Sequence, residues 1–291
     1  MAIYKFQPIR KVLVWGTETW LISSVPGSES VVAEGPDKGK TINEVYGGQF
    51  PLLVKFIDAR EDLSIQVHPN DALALRRHNC KGKTEMWYVR DASEGAHLLS
   101  GLTRQITPGE YERRVADNTI TEVLGRYDIA KGDVFFLPAG RIHAIGGGSH
   151  IVEIQQTSDI TYRIYDYGRP GLDGKPRELH TRLAKDAIDY SVLPDYRTRY
   201  NLRRNARTVL VECPCFVTSL YDLDRPLNLD LSAIGSALVV VCIEGGGILG
   251  GRPVAAGDVF LVTSGESDMS VQPGPGGLKL LSSYVPEQTI C

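Results

Sequence analysis

Short strand-like runs of about four to six residues, separated by Gly, Pro and Asn/Asp turns, recur along the whole chain. They fall at 12–15, 52–57, 63–68, 86–89, 134–137, 151–155, 209–212, 238–243 and 259–262. Runs of this length that are rich in Val and Ile and bounded by turn formers read as strands. Their density predicts an all-β sandwich or barrel. Helix signals are few. Thr107-Pro108-Gly109-Glu110 and Thr119-Ile120-Thr121-Glu122 both carry Thr with Glu three residues on, a capping-box start, the first with Pro at N1. Residues 71–78 and 181–190 predict two more short helices that decorate the β framework.

One pattern occurs twice. Gly132-Asp133-Val134-Phe135-Phe136-Leu137-Pro138-Ala139-Gly140-Arg141-Ile142-His143 is matched at a constant offset of 125 (257 − 132). The second copy reads Gly257-Asp258-Val259-Phe260-Leu261-Val262-Thr263-Ser264-Gly265-Glu266-Ser267-Asp268. Each is a Gly-Asp turn, a buried β run, a second Gly turn and a polar side chain, so one structural unit is predicted twice. The second copy has Thr263 for Pro138 and Asp268 for His143, keeping the turns and losing the histidine ligand.

With 291 residues the chain is long enough for two domains. Net charge is −3, from 32 Lys+Arg against 35 Asp+Glu, which argues against a nucleic-acid groove or an anionic-membrane footprint. The longest apolar run, 237–243, is far short of the ~20 residues of a membrane span. Lys5, Arg10 and Lys11 interrupt the N-terminus, so no signal peptide is expected. Five cysteines, an odd number in a chain too long to need staples, predict a reducing, cytoplasmic setting. Oligomeric state is expected to be monomer or weak homodimer.

The candidate chemistry begins in Ser64-Ile65-Gln66-Val67-His68-Pro69-Asn70, where Gln66 and His68 leave the same face of a strand. Glu85 follows in Gly82-Lys83-Thr84-Glu85-Met86, and His143 ends the first repeat copy. Two imidazoles, a carboxylate and an amide oxygen form a ligand set for a divalent metal such as zinc, iron, copper or nickel, with positions left for water or substrate. The alternative is a solvated Gln and His on a half-buried strand, with His143 a turn residue. His78, His97, His150 and His180 have no ligand-spaced partner. Cys213-Pro214-Cys215 lacks a nearby His, and Gly146-Gly147-Gly148 lacks the Lys-Ser/Thr ending of a phosphate loop.

The Gly-x5-Pro-x-Gly-x2-His string at 132–143 resembles the second motif of the cupin superfamily. More of the chain is similar to the short type I mannose-6-phosphate isomerases. The segments that carry this are Trp15-Gly16, Glu18-Thr19-Trp20, Pro51-Leu52-Leu53-Val54-Lys55, Leu63-Ser64-Ile65-Gln66-Val67-His68-Pro69-Asn70-Asp71, Gly82-Lys83-Thr84-Glu85-Met86-Trp87-Tyr88, Pro138-Ala139-Gly140-Arg141-Ile142-His143 and Gln155-Gln156-Thr157-Ser158-Asp159-Ile160-Thr161-Tyr162-Arg163. The resemblance spans about residues 15–190 and is weaker beyond. It implies tandem double-stranded β-helix (bicupin, jelly-roll) barrels. The first, within 1–200, would be catalytic and carry a small helical insertion at about 71–130; the second, within 201–291, would be a degenerate cupin.

The resemblance further implies one zinc ion per chain on Gln66, His68, Glu85 and His143, and Lys55, Lys83, Asp159 and Arg163 around the sugar phosphate. The implied reaction is the interconversion of mannose 6-phosphate and fructose 6-phosphate through an enediol. Its developing oxyanion calls for a Lewis acid and fixed cations. Arg163 can fork onto an anion, and Lys83, Asp159 or a zinc-bound hydroxide is the candidate base. Two other readings are a different metal-dependent cupin enzyme and a non-catalytic sugar-phosphate binder. Gln66 and the Lys55, Lys83, Arg163 set argue against the first, and the unbroken ligand set against the second.

Overall fold

The computed structural model describes residues 1–232, 234, 237–263 and 268–286. The chain forms two compact units. One comprises Arg10–Trp20 and Val54–Thr198; the other comprises Met1–Ile9, Leu21–Leu53 and Arg199–Cys291.

In the unit of 10–20 and 54–198, strands fall into two sheets. The seven-stranded sheet runs in the order Arg197–Thr198, Val134–Leu137, Glu85–Ala92, Ser149–Gln156, Leu52–Ala59, Gly16–Ile22, Ile9–Leu13. The five-stranded sheet runs Leu124–Asp128, His97–Leu102, His143–Ile145, Ile65–Val67, Tyr162–Tyr165. From Leu52–Ala59 to Arg197–Thr198 the chain passes back and forth between the sheets at almost every step, which is the winding of a jelly roll. Hydrogen bonding does not run from one sheet into the other, so the expected barrel is a pair of open facing sheets.

Strand alternation sorts the side chains into an interior and an exterior. Ile57, Trp87, Val89, Phe135, Leu137 and Ile151 from the larger sheet pack with Leu98 and Ile145 from the smaller one, so these positions face the space between the sheets. Their neighbours Leu99 and Ala144, with Ile65, Val67, Tyr162 and Ile164, point the other way. There they pack on Tyr111 and Ala184 of the helices Pro108–Ala116 and Thr181–Ala187. Fully burying an aliphatic or aromatic side chain is worth about 1.5–3 kcal/mol, so this double-sided packing fixes the register of the five short strands.

Helix Asp71–His78 forms as the sequence predicts: the Asn70 side chain accepts from Leu73 N, and Asn79 closes the helix in the left-handed region. Thr107 caps Pro108–Ala116 by accepting from Glu110 N, but the Glu110 side chain turns to Arg104 and Arg114 instead of completing a box. Thr119 makes no side-chain cap, and Ile120–Val123 is a single 3-10 turn. The stretch 71–130 is thus helices set between the strands Glu85–Ala92, His97–Leu102 and Leu124–Asp128. The strand expected at 12–15 ends at Leu13, and Val14 and Trp15 turn the chain. The turn depends on Gly16: its φ is +149°, and a Cβ there would lie 2.1 Å from Asp58 O.

The other unit is built on an eight-stranded sheet whose two long members, Ala237–Leu249 and Asp268–Tyr284, pair with each other. Register shifts at Cys242/Glu244 and Gly245/Gly247 bend the first of these. The bend lets Leu229, Leu249, Val271, Leu280, Phe260 and Val240 share one core.

The predicted repeat holds bond for bond at its Gly-Asp turn. Gly132 and Gly257 have φ of 92° and 95°, and each is followed by an Asp whose Oδ2 accepts from the residue three back, Ala130 N or Ala255 N, at 2.9 Å. Gly132 N donates to Val89 O and Gly257 N to Cys242 O, both at 2.8 Å. The strands Val134–Leu137 and Val259–Thr263 follow. Residues 264–267 of the second copy lie outside the described residues.

Candidate active site

The same alternation places the candidate ligands. Gln66 lies between the outward-packed Ile65 and Val67, and His68 is two residues on; His143 has the parity of Ile145, Glu85 that of Trp87, and Arg163 is the inward residue between Tyr162 and Ile164. Strand register then lines them up: Gln66 pairs with His143 on one side and with Arg163 on the other. The structure thereby brings together all four predicted ligands from three separate segments.

His68 Nε2 lies 3.5 Å from Glu85 Oε2, and His143 Nε2 lies 3.3 Å from Glu85 Oε1. Gln66 Nε2 is 3.3 Å from His143 Nε2, and turning the amide over presents its oxygen to the same point. Each imidazole is oriented from behind. His68 Nδ1–H donates to Ile160 O and His143 Nδ1–H to Arg141 O, both at 2.8 Å, so each Nε2 lone pair is left facing Glu85. Burial holds the His143 ring down to about 3 and the His68 ring well below its usual value, helped by Lys83, so both are neutral. Neutral imidazole is the metal-binding form.

Among the described residues, His68, Glu85 and His143 are the one group of three whose ligand atoms all lie within 4.8 Å of one another. His68 Nε2 and Glu85 Oε1 are fully buried and have no hydrogen-bond partner among the described residues. Buried polar atoms are rarely left so, and a divalent cation at this point satisfies both. The donor set therefore fits a metal.

Around the ligands runs a chain of alternating charge. Glu18 Oε1 is 3.3 Å from Lys55 Nζ, Lys55 is 3.0 Å from Glu153 Oε1, Glu153 is 3.6 Å from Lys83 Nζ, and Lys83 is 2.9 Å from Glu85 Oε2. Trp87 Nε1–H donates to Glu153 Oε2 at 2.8 Å, its cross-strand neighbour. Burial disfavours charge on Glu153, but Lys55 and Lys83 outweigh it and hold the carboxylate at about 2. Burial likewise opposes Lys55, and Glu153 and Glu18 overcome it, keeping the ammonium charged. Glu85 moves the other way, up to about 7, through burial and the charge of Glu153.

Glu18, Lys55, Glu153 and Lys83 line a cavity of about 280 Å³ together with Gln66, Asp159, Arg163, Lys11, Trp20 and Arg177. All four residues expected around a sugar phosphate, Lys55, Lys83, Asp159 and Arg163, are on its wall. Thr84 points the other way, as its position predicts, and its Oγ1 accepts from Ala139 N at 3.2 Å. Glu153, Glu18 and Arg177 also line the cavity. Glu153 carries a sequence signal, an acidic residue on the inward parity of an apolar strand; Glu18 lies in the resembling Glu18-Thr19-Trp20 segment with no role attached, and Arg177 carries none.

A model of the phosphomannose isomerase type I catalytic domain matches residues 17–102. The mannose-6-phosphate isomerase ManA of Bacillus subtilis is 32% identical over 309 aligned positions, which cover 92% of this chain and 95% of that protein. The mannose-6-phosphate isomerase of Streptococcus mutans is 35% identical over 74% of this chain and 72% of its own length. A crystal structure of the mannose 6-phosphate isomerase from Bacillus subtilis superposes with a TM-score of 0.88 at 31% identity, covering 98% of this chain and all of that one. With the site assembled and both sequence and fold shared over nearly the whole length, the chain belongs to the type I phosphomannose isomerase family.

Proposed function

We propose that this chain interconverts mannose 6-phosphate and fructose 6-phosphate, with Gln66, His68, Glu85 and His143 holding one zinc ion and Lys55, Lys83, Asp159 and Arg163 serving the sugar phosphate. The observation that carries the reading is a buried metal-fitting triad whose Glu85 lies 2.9 Å from Lys83, one of the fixed cations lining a cavity that Gln66 also lines. When bound, zinc supplies a Lewis acid for the sugar oxygens.

The rest of the chemistry falls to side chains. Isomerisation takes a proton from C2 and returns it to C1, and negative charge develops on the oxygens in between. Lys55, kept charged by Glu18 and Glu153, stabilises that charge without needing to move. Arg163 is anchored by donating from NH1 to Glu178 O at 2.8 Å, while its buried Nε–H has no partner among the described residues and is available to an anion. Lys83 or Asp159 carries the proton. Variants separate them: the responsible residue, changed to Met or Asn respectively, loses kcat by about 100-fold or more and its limb of the pH profile disappears.

We place the catalysis in the unit of 10–20 and 54–198, and assign the strands of 201–291 to a degenerate cupin that carries no metal ligand. Cys80 and Cys242 are free thiols, in keeping with a cytoplasmic setting for a monomer or weak homodimer that engages neither nucleic acid nor membrane. A coupled assay for fructose 6-phosphate formed from mannose 6-phosphate tests the activity. Steady turnover supports the reading; saturable sugar-phosphate binding without conversion refutes it.

A further inference from the structure

One part of the cavity wall comes from a stretch to which the sequence assigns nothing. Beyond the strand Tyr162–Tyr165, residues 166–180 loop out before the helix Thr181–Ala187. At the base of this loop Asp166 is only 5% exposed, and two arginines converge on it. Arg177 donates from Nε to Oδ2 and from NH2 to Oδ1, both at 2.6 Å, a two-pronged grip. Arg169 donates to Oδ1 from Nε at 3.0 Å and from NH2 at 2.8 Å. The fork fixes Arg177 in the cavity wall, on which Arg163 also lies.

The charges here do not balance. Arg169 and Arg177 share the buried carboxylate of Asp166, and Arg163 lies on the cavity wall with Arg177 and Asp159, so three guanidinium groups stand against two carboxylates. The nearby acids Glu61 and Glu178 are exposed, Glu61 standing 3.8 Å from Arg169 with its side chain 68% exposed. A phosphate monoester dianion supplies the missing charge, and guanidinium forks match its oxygens.

We propose that Arg177, held in place by Asp166, grips the substrate phosphate together with Arg163 and so sets the preference for phosphorylated over neutral hexoses. This rests on the isomerase reading. Asp166 acts as a positioning residue, since it works only through Arg177.

The test compares the zinc-loaded wild type with Arg177→Ala, Arg177→Lys and Asp166→Asn. Arg177 is partly exposed, so its variants keep the test available even if Asp166→Asn fails to fold. Arg177→Ala is expected to raise KM for mannose 6-phosphate about 10- to 100-fold, the usual range for losing a hydrogen bond between charged groups, with a much smaller change in kcat. The inhibition constant of inorganic phosphate should rise in the same proportion. Arg177→Lys should restore part of the loss, and Asp166→Asn should raise KM by less than Arg177→Ala. Unchanged KM and phosphate inhibition in Arg177→Ala would overturn the proposal, as would a loss expressed wholly in kcat.

Calorimetric titration with fructose 6-phosphate and with fructose separates this from the isomerase reading. If the wild type does not turn over but binds fructose 6-phosphate in an Arg177-dependent way, only the isomerase reading fails. If turnover is normal and Arg177→Ala binds fructose 6-phosphate as the wild type does, only the grip by Arg177 fails.

Discussion

Glu153→Gln removes the central charge of the buried network without changing its shape. Glu153 Oε1 stands 3.0 Å from Lys55 Nζ and 3.6 Å from Lys83 Nζ. At an effective dielectric constant of about 20, those separations correspond to roughly 5.5 and 4.6 kcal/mol of gross attraction. Much of this is offset by the cost of burying the carboxylate and by its repulsion of Glu85, both of which the substitution relieves. Breaking a buried pair by removing one partner costs about 3–5 kcal/mol. Lys55 keeps Glu18 and Lys83 keeps Glu85, and glutamine still accepts from Trp87, so the lower end applies, about 3 kcal/mol. At about 2–4 °C per kcal/mol that is a fall of roughly 6–12 °C in Tm. Thermal denaturation of both proteins, followed by circular dichroism with chelator present so that metal binding does not enter, measures it. A fall of less than about 1 kcal/mol would mean that Lys55 and Lys83 are not the paired, charged groups described here.

Other perturbations probe other links. Gly16→Ala, which brings a Cβ against Asp58 O in backbone at φ +149°, should destabilise by more than about 2 kcal/mol in urea denaturation. Asp166 gives a pH signature: burial pushes its carboxyl up, but the hydrogen bonds from Arg177 and Arg169 outweigh burial and hold it below its usual value. Its stabilisation is therefore present above the unfolded carboxyl pKa and lost as pH falls through the folded one. Asp166→Asn should accordingly flatten the loss of stability below about pH 4, measured as the urea midpoint against pH. Cys242 is wholly buried and its thiol is pushed up to about 12 by burial and Asp258, so alkylation of the native protein followed by mass spectrometry should leave it unmodified.

Much of the site is legible in the sequence because strand parity is local. Gln66 and His68 two apart, and Lys83 and Glu85 two apart, necessarily share a face, and the Gly-Asp turn at 132–133 delivers His143 at the head of a strand. Parity does not say which faces oppose one another. Glu18, Glu153 and Arg177 reach the cavity through register between strands distant in sequence and through a loop pinned by Asp166, and neither leaves a periodic mark. Turns are less legible than strands. Val14 and Trp15 continue an apolar run yet bend the chain, because Gly16 brings the backbone against Asp58 and ends the strand. Thr119 has the form of a cap, but its φ and ψ of −109° and 13° are not those of one.

The central claim is that one divalent ion on Gln66, His68, Glu85 and His143 is required for isomerisation. The direct measurement is titration of chelated, metal-free protein with zinc, recording bound metal by elemental analysis and fructose 6-phosphate formation in the same samples. The account predicts no activity at zero metal and a linear rise that ends at one ion per chain, with His143→Ala losing occupancy and activity together. Full activity in the metal-free protein, or a His143→Ala variant that turns over normally without bound metal, would contradict it.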